Sequence, residues 1–462
     1  MHLRSNYIFR SAFLFTILII SFSSCKIMEP YRKPTVVKEE SLYRDQAAGD
    51  SSNIADIPWR KLFSDKILIA LIDEALVNNP DLQIAMARMK KTEATLKQSR
   101  AAFFPTLSVA PAINIQKSDL TGLIRDYQIA ASTSWEADIW GRLRNQKRAS
   151  LDLFLRSESY KRAVQSQLIA DVANIYYTIL ALDAKLQVTE KTIEYRNSEV
   201  ETIRLMKDND MVTGADLVQS QANLYSAKVS LPDIKQSIYE TENTLSLILG
   251  RNPGPVTRGS LSDQEISGSL HTGVPALMLA NRPDVQEAEY QLRYGYEMTN
   301  AARKSFYPTL TVSATGGYMA TDISKMFDPS SLFWNVLGGL TQPVFNKGMN
   351  RQRLQMAMAD QEEYLLSYKQ VLLRSGEEVA NSMYSYQNAS EKISLRKSQI
   401  EYLQKSVDYT MELLKYTSST TYTNVLMAEM NLLSAQLGSI NDKLQQLQSV
   451  VILYKSLGGG WK

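Results

Sequence analysis

Side chains able to do covalent or metal chemistry are scarce in this sequence. It holds one cysteine, Cys25, and two histidines, His2 and His271, in 462 residues. A thiol can be acylated, act as a nucleophile or bind a soft metal, and an imidazole can serve as base or ligand. A catalytic dyad or a tetrahedral zinc site, however, needs several such groups together. Met349, Met356 and Met358 carry thioethers of the kind that suits copper or silver. Methionine at helical spacing equally fills a core, and no metal site is expected. Glu377 and Glu378 lie in a charged helical stretch, where carboxylates are solvated or paired between helices. The run Leu457-Gly458-Gly459-Gly460 precedes no helix and reads as a chain terminus, not a phosphate loop. No catalytic residue, cofactor or enzyme activity is predicted.

Chemistry is expected at Cys25. Residues 1–24 read as a secretory signal: Arg4 and Arg10 give a positive start, and Phe13 to Phe22 form an apolar stretch too short to span a bilayer. Phe22-Ser23-Ser24-Cys25 resembles a bacterial lipobox, in which the cysteine becomes the acylated first residue of the mature chain. Phe22 departs from the aliphatic residue usual there, and an incidental cysteine in an ordinary signal is the alternative. Residues 25–63 then form a lipid-anchored tether. Loss of the signal leaves 49 basic against 48 acidic side chains and His271 as the one histidine. A charge so near zero implies no polyanion partner such as nucleic acid. With the thiol acylated there is no disulfide option, so stability must come from packing or assembly.

The elements that follow occur twice. Asn79-Pro80-Asp81 returns as Arg282-Pro283-Asp284, and Phe103-Phe104-Pro105-Thr106-Leu107 as Phe306-Tyr307-Pro308-Thr309-Leu310. Further along, Asp216 to Leu224 aligns with Asn424 to Leu432, and Leu249-Gly250 with Leu457-Gly458. The halves read as copies. Residues 64–250 and 274–458 are the two repeats, with a linker at 251–273 and a tail at 459–462.

Each repeat predicts the order helix, two strands, very long helix, tip, helix. No glycine or proline lies between Gly141 and Gly214, so one helix is expected from Arg142 to Asp208, roughly 100 Å long. Val164, Leu168, Val172, Ile175, Ile179, Leu182 and Leu186 recur by threes and fours, as in a coiled-coil seam. Asp171, Asp183, Lys185 and Glu190 interrupt any run able to cross lipid. The second long helix is expected over Lys347 to Lys415. Shorter helices are expected over Ser64 to Phe104, Ala215 to Leu249, Val274 to Tyr307 and Thr423 to Leu457. Pro105 and Pro308 end two of them. Tips at Asn209 to Gly214 and Tyr416 to Tyr422 close two helix hairpins.

Four segments alternate between apolar and polar residues, the period of a strand. They are Leu107 to Gln116, Tyr127 to Ile139, Leu310 to Tyr318, and a stretch from Leu332 that Pro343 stops. In the last, Phe333 and Leu337 break the pattern. Soluble hairpins alternate in the same way. Each segment is nevertheless long enough to cross a bilayer at a tilt, about 9–11 residues. Four strands cannot close a membrane barrel, which needs about eight or more. If they span the membrane, several copies must share one barrel.

The duplicated order, the Asn-Pro-Asp and Arg-Pro-Asp triplets, the Phe-Pro-Thr and Tyr-Pro-Thr strand starts, and Asp138-Ile139-Trp140-Gly141-Arg142-Leu143-Arg144 together resemble the TolC/OprM/NodT outer-membrane efflux family. The resemblance covers nearly the whole mature chain and includes the acylated cysteine of its lipoprotein branch. It implies a mainly α fold with transmembrane β-strands: a homotrimer with a twelve-stranded barrel in the outer membrane and a helical coiled-coil tunnel in the periplasm. The tips would dock a membrane-fusion adaptor and an inner-membrane RND-type pump, and the channel itself would be a passive exit duct for drugs or other small molecules. By similarity the adaptor-facing residues are Val212, Thr213, Gly214, Thr417, Ser418 and Ser419. Many relatives follow the second tip with a glycine turn and an acidic residue of a constriction ring. Here those positions correspond to Ser419 and Asn424, while the first repeat keeps Gly214 and Asp216. Asp216, Tyr416 and Asn424 are the candidate gate, with a weakened charge ring.

Two other readings stay open. The same duct could serve heavy-metal or peptide and protein export. Alternatively, the chain could be a lipid-tethered periplasmic coiled-coil structural protein, which would leave the four alternating segments without a purpose.

Overall fold

A computed structural model of the chain describes residues 31–37, 54–118, 122–265, 281–417 and 420–461. Cys25, His271, Ser418 and Ser419 lie outside the described residues. The chain forms two compact units. The first comprises residue 31 onward to Val36, Ser99–Ala149 and Arg293–Gln361; the second comprises the described parts of Val37–Gln98, Ser150–Leu292 and Glu362–Lys462.

Besides a single turn at Trp59–Leu62, the helices among the described residues are α1 Lys66–Asn78, α2 Pro80–Ala101, α3 Arg142–Asp208, α4 Gly214–Ile248, α5 Pro283–Lys304, α6 Met349–Tyr416 and α7 Tyr422–Ser456. The two longest have 67 and 68 residues. The helix expected over Ser64 to Phe104 is in fact two. Asn79 stands between them in an extended conformation because Pro80 disfavours helical geometry in the residue before it. Conversely, α4 runs through Pro232, which the apolar pattern alone does not mark. Pro232 is exposed and Lys228, one turn before it, is half-buried, so the missing N–H lies on the outer side of α4. Among the described residues no helix is long and apolar enough to cross a membrane.

In the first unit, strands β1 Thr106–Ser118, β2 Gly122–Ala137, β3 Thr309–Ala320 and β4 Leu332–Thr341 form one antiparallel sheet in sequence order. Its register sorts the side chains. Val109 opposes Ala131, which opposes Gly316, which opposes Trp334. Ile113 opposes Tyr127 and Ala320, and Thr133 opposes Ala314 and Val336. One face is thus almost wholly apolar. On the other, Ser108 opposes Ser132, Thr315 and Asn335. Phe333 and Leu337 do point to this polar side, where they cover Gly317 and Ser313. A Cβ at Gly317 would collide with the Ile129 carbonyl, so β2 and β3 can approach here only across a glycine.

The motif after β2 is the strand-to-helix corner. The Asp138 carboxylate accepts the backbone N–H groups of Leu143 (2.9 Å) and Arg144 (3.0 Å), capping α3. Gly141 adopts φ +78° to make the turn. Arg142 donates to both carboxylate oxygens of Glu136, and Trp140 donates to the Pro308 carbonyl while stacking on Tyr307.

In the second unit the duplication is visible atom by atom. The Asn79 amide donates to the Ile248 carbonyl (2.8 Å), and Arg282 Nη1 donates to the Ser456 carbonyl (2.9 Å), so the same position in each repeat satisfies the C-terminus of the returning helix. Gly250 and Gly458 follow those ends at φ +69° and +89°, pressed against Asn78 and Asn281. Of the expected α3 seam, Leu168, Val172 and Ile179 are fully buried and the others half-buried. The largest fully buried side chains there are Tyr176 and Tyr177. The Tyr176 hydroxyl donates to Asp65 at 2.6 Å and accepts from the Gly259 N–H at 3.0 Å. Glu378 is interhelical, as expected, and bonds Arg282 at 2.8 Å.

Candidate functional site

The second unit brings both hairpin tips together. Ile203 and Met206 of α3, Leu414 of α6, and Tyr422 and Val425 of α7 form a buried cluster, with Val212, Leu217 and Met411 packed against it. All four helices of the two hairpins therefore meet at one apolar knot, held by hydrophobic burial.

The first tip turns on Asp210, at φ +56°, a conformation aspartate tolerates better than most residues. The Met211 N–H then bonds the Met206 carbonyl at 2.9 Å, closing the end of α3. Thr213 and Asp216 form a capping box on α4: Asp216 accepts from the Thr213 N–H (2.9 Å) and hydroxyl (2.7 Å), and the Asp216 N–H bonds back to the Thr213 hydroxyl (3.3 Å). Such a cap contributes about 1 kcal/mol to its helix. The carboxylate singled out as a gate residue thus already serves the fold. Gly214 is exposed, with open space where a side chain would extend.

At the second tip Thr417 is exposed and its hydroxyl donates to the Leu413 carbonyl (2.9 Å). Tyr416 is 80% exposed. Asn424, at the position equivalent to Asp216, donates to the Thr420 hydroxyl (3.0 Å), and Thr421 caps α7 without a side-chain bond. The charge that completes a capping box in the first repeat is absent from the second.

Behind this knot lies a group that the sequence reading passed over. Arg196, Glu199 and Glu429 are each more than nine-tenths buried. Arg196 donates to the Asn223 carbonyl at 2.7 Å. Neither oxygen of Glu429 has an aligned donor among the described residues, although Tyr195 and Glu199 stand beside it. Burial, then the nearby Glu199 charge, pushes the Glu429 carboxyl up to about 7, and burial raises that of Glu199 as well. A cavity of about 480 Å³ opens next to them, lined in part by Lys191, Tyr195, Arg196, Gln404 and Glu429. A signal existed: Glu199 falls four residues before Ile203 and seven before Met206, and Glu429 falls seven after Tyr422, so both carboxylates occupy seam positions.

The methionines at 349, 356 and 358 are exposed, not core filler. Among the described residues no three His, Cys, Asp or Glu side chains gather to hold a metal.

The family model for outer membrane efflux proteins matches residues 71–251 and 274–459, one match for each half. The chain belongs to the outer membrane efflux protein family. The solvent efflux pump outer membrane protein SrpC of Pseudomonas putida is 29% identical, over 98% of this chain and 98% of its own length. The crystal structure of the transmembrane channel CusC matches 94% of this chain and 100% of its own, with a TM-score of 0.85 and 26% identity. The outer-membrane channel OprN matches 95% of this chain and 100% of its own, with a TM-score of 0.86 and 24% identity. This efflux protein is an outer-membrane channel component of an efflux system, mainly α-helical with strands for a β-barrel. Its relatives are channel proteins and not enzymes.

Proposed function

We propose that this outer membrane efflux protein is the exit duct of a tripartite pump, working as a homotrimer with a twelve-stranded barrel, anchored by acylated Cys25 and docked through its tips to a periplasmic adaptor and an RND-type inner-membrane pump. The observation that carries the reading is the sheet: one apolar face, one polar face and two open edges at β1 and β4. An open edge in lipid leaves backbone groups without partners, and joining the edges of neighbouring copies satisfies them. Exposed apolar residues on α6 add support. Leu366, Leu373, Tyr384, Leu395, Tyr402 and Tyr409 recur at sevens and elevens, the spacing of a coiled-coil face awaiting another copy. In this assembly the apolar face of the sheet meets lipid, the polar face lines the pore, and the repeats 64–250 and 274–458 each supply one helix hairpin.

Cargo is small organic molecules, in keeping with the solvent pump relative. Cation export, a metal ion included, is the second reading, supported by the likeness to CusC, a cation efflux system protein, and by the exposed methionines. Native mass spectrometry of the detergent-extracted protein should give a trimer carrying acyl mass, and a deletion strain should lose tolerance to toluene. A monomer, or lost tolerance to copper alone, would overturn the corresponding part.

Asp216, Tyr416 and Asn424 form the gate in this reading, with Val212, Thr213, Gly214, Thr417, Ser418 and Ser419 toward the adaptor. Asn424→Asp restores the carboxylate that the first repeat has at Asp216, and Thr421 is placed to complete a capping box with it. Single-channel recordings in a potassium chloride gradient should then shift toward cation selectivity. An unchanged reversal potential would remove Asn424 from the gate.

A further inference from the structure

We propose that Glu199 and Glu429 share one proton, and that this proton holds the tip-side ends of α3 and α7 together. The argument begins with charge balance. Two carboxylates and one guanidinium, that of Arg196, are each more than nine-tenths buried in one place. Arg196 offsets one negative charge. A second would remain uncompensated in the interior, where an unpaired charge is too costly to keep. A proton bound between the two acids removes it and supplies Glu429 with an aligned donor, which the nearby Tyr195 hydroxyl does not.

The surroundings leave few alternatives. Facing the pair are Tyr195 and Arg196 on α3, Asn223 on α4 and Tyr422 on α7, while Asp408 on α6 stands near Tyr195. Tyr195 and Tyr422 are held in their neutral forms, first by burial and then by the nearby carboxylates, and Asp408 adds negative charge. Lys191 lines the adjoining cavity from an exposed position, where water screens it. The cavity gives protons a route to a pair that is otherwise enclosed. It also gives the helices room to shift when the proton leaves.

The direction follows from linkage. Both carboxyls lie higher in the folded protein than in an unfolded chain, so the shared proton contributes its full stability below the ordinary carboxylate range. That contribution is lost as pH rises toward about 7. Acid tightens the tip and neutrality loosens it. What this does to flow rests on the duct reading; the proton binding does not.

The test uses the full-length protein in detergent. Infrared spectra in deuterated buffer at about pH 6 should contain a protonated-carboxyl carbonyl band that fades above about pH 8 and is missing in Glu429→Gln and in Glu199→Gln. Amide exchange over residues 199–206 and 422–429, corrected for the intrinsic base-catalysed rate, should rise up to about a hundredfold between about pH 5 and pH 7 in the native chain and stay flat in Glu429→Gln. The infrared and exchange titrations of the native chain need no variant and stand even if one misfolds. Absence of the band, its survival in both variants, or a band without a pH-dependent rise in exchange would each overturn the proposal. None of these readouts involves transport, so failure of the duct reading would be seen separately, in the oligomer mass.

Discussion

Arginine in place of Ile113 is expected to remove the protein from the outer membrane, while arginine in place of its neighbour Ala112 is not. The two residues share a strand and a depth but occupy opposite faces. Ile113 lies in register with Tyr127 and Ala320 on the apolar side, and Ala112 with Gln128 and Met319 on the side that Ser108, Ser132 and Thr315 make polar. An arginine facing lipid near the bilayer midplane costs about 2–4 kcal/mol, and a trimer would repeat it three times, for about 6–12 kcal/mol per barrel. That rivals the whole stability of an ordinary domain, about 5–15 kcal/mol. The measurement is the amount of heat-resistant oligomer in washed outer-membrane fractions. Equal recovery of the two variants would mean that the apolar face does not meet lipid.

Arg282→Ala should destabilise the second unit by about 3–5 kcal/mol, the usual consequence of leaving buried charges without their partner. The residue is 3% exposed and its side chain joins three groups: Asp284 (2.6 and 3.0 Å), Glu378 (2.8 Å) and the Ser456 carbonyl (2.9 Å). Although burial pushes the Asp284 carboxyl up, its bonds to Arg282 outweigh that and hold it below its ordinary value. A depressed carboxyl contributes stability above its unfolded range, and the contribution is lost as pH falls through the folded value. The gap between native and variant protein should therefore narrow below about pH 4. The first repeat supplies a control, because Asn79 makes the corresponding bond to Ile248 with a short amide. Arg282→Asn should recover about 1 kcal/mol of the loss by reaching Ser456 in the same manner. Denaturant melts at neutral and acid pH would measure all three, and a gap that does not depend on pH would mean the carboxylates are not what Arg282 supports.

What could be read in advance was whatever depends on local order. The ends of α3 follow from the absence of glycine and proline between Gly141 and Gly214, and the strands follow from period-two alternation that a pleated backbone imposes. Asn79-Pro80 was equally local, yet the run Ser64 to Phe104 concealed it because the apolar residues continue on both sides of the break. The carboxylate pair was of another kind. Glu199 and Glu429 are 230 residues apart, and nothing near either one in sequence says that it is enclosed. Their seam positions were the available sign, and it is weak until the two seams are known to face each other. The exposed methionines show the converse: helical spacing fixes which residues share a face, but the neighbours decide whether that face is covered.

The pairing of β2 with β3 bears on how the chain reaches its native state. β1 with β2 and β3 with β4 are neighbours in sequence and can meet early, but β2 reaches β3 only across α3, α4 and α5, joining Tyr127–Ala137 to Leu310–Ala320. Closing so distant a contact is slow, since its loop entropy must be met before any bond forms. The helix hairpins, built of residues adjacent along the chain, close shorter loops and are expected to form before it. Until then two apolar-faced ribbons with unpaired edges stand in water, the kind of surface that associates with the wrong partner. The interval between making the helices and sealing this one seam is when the polypeptide most needs an escort on its way to the membrane.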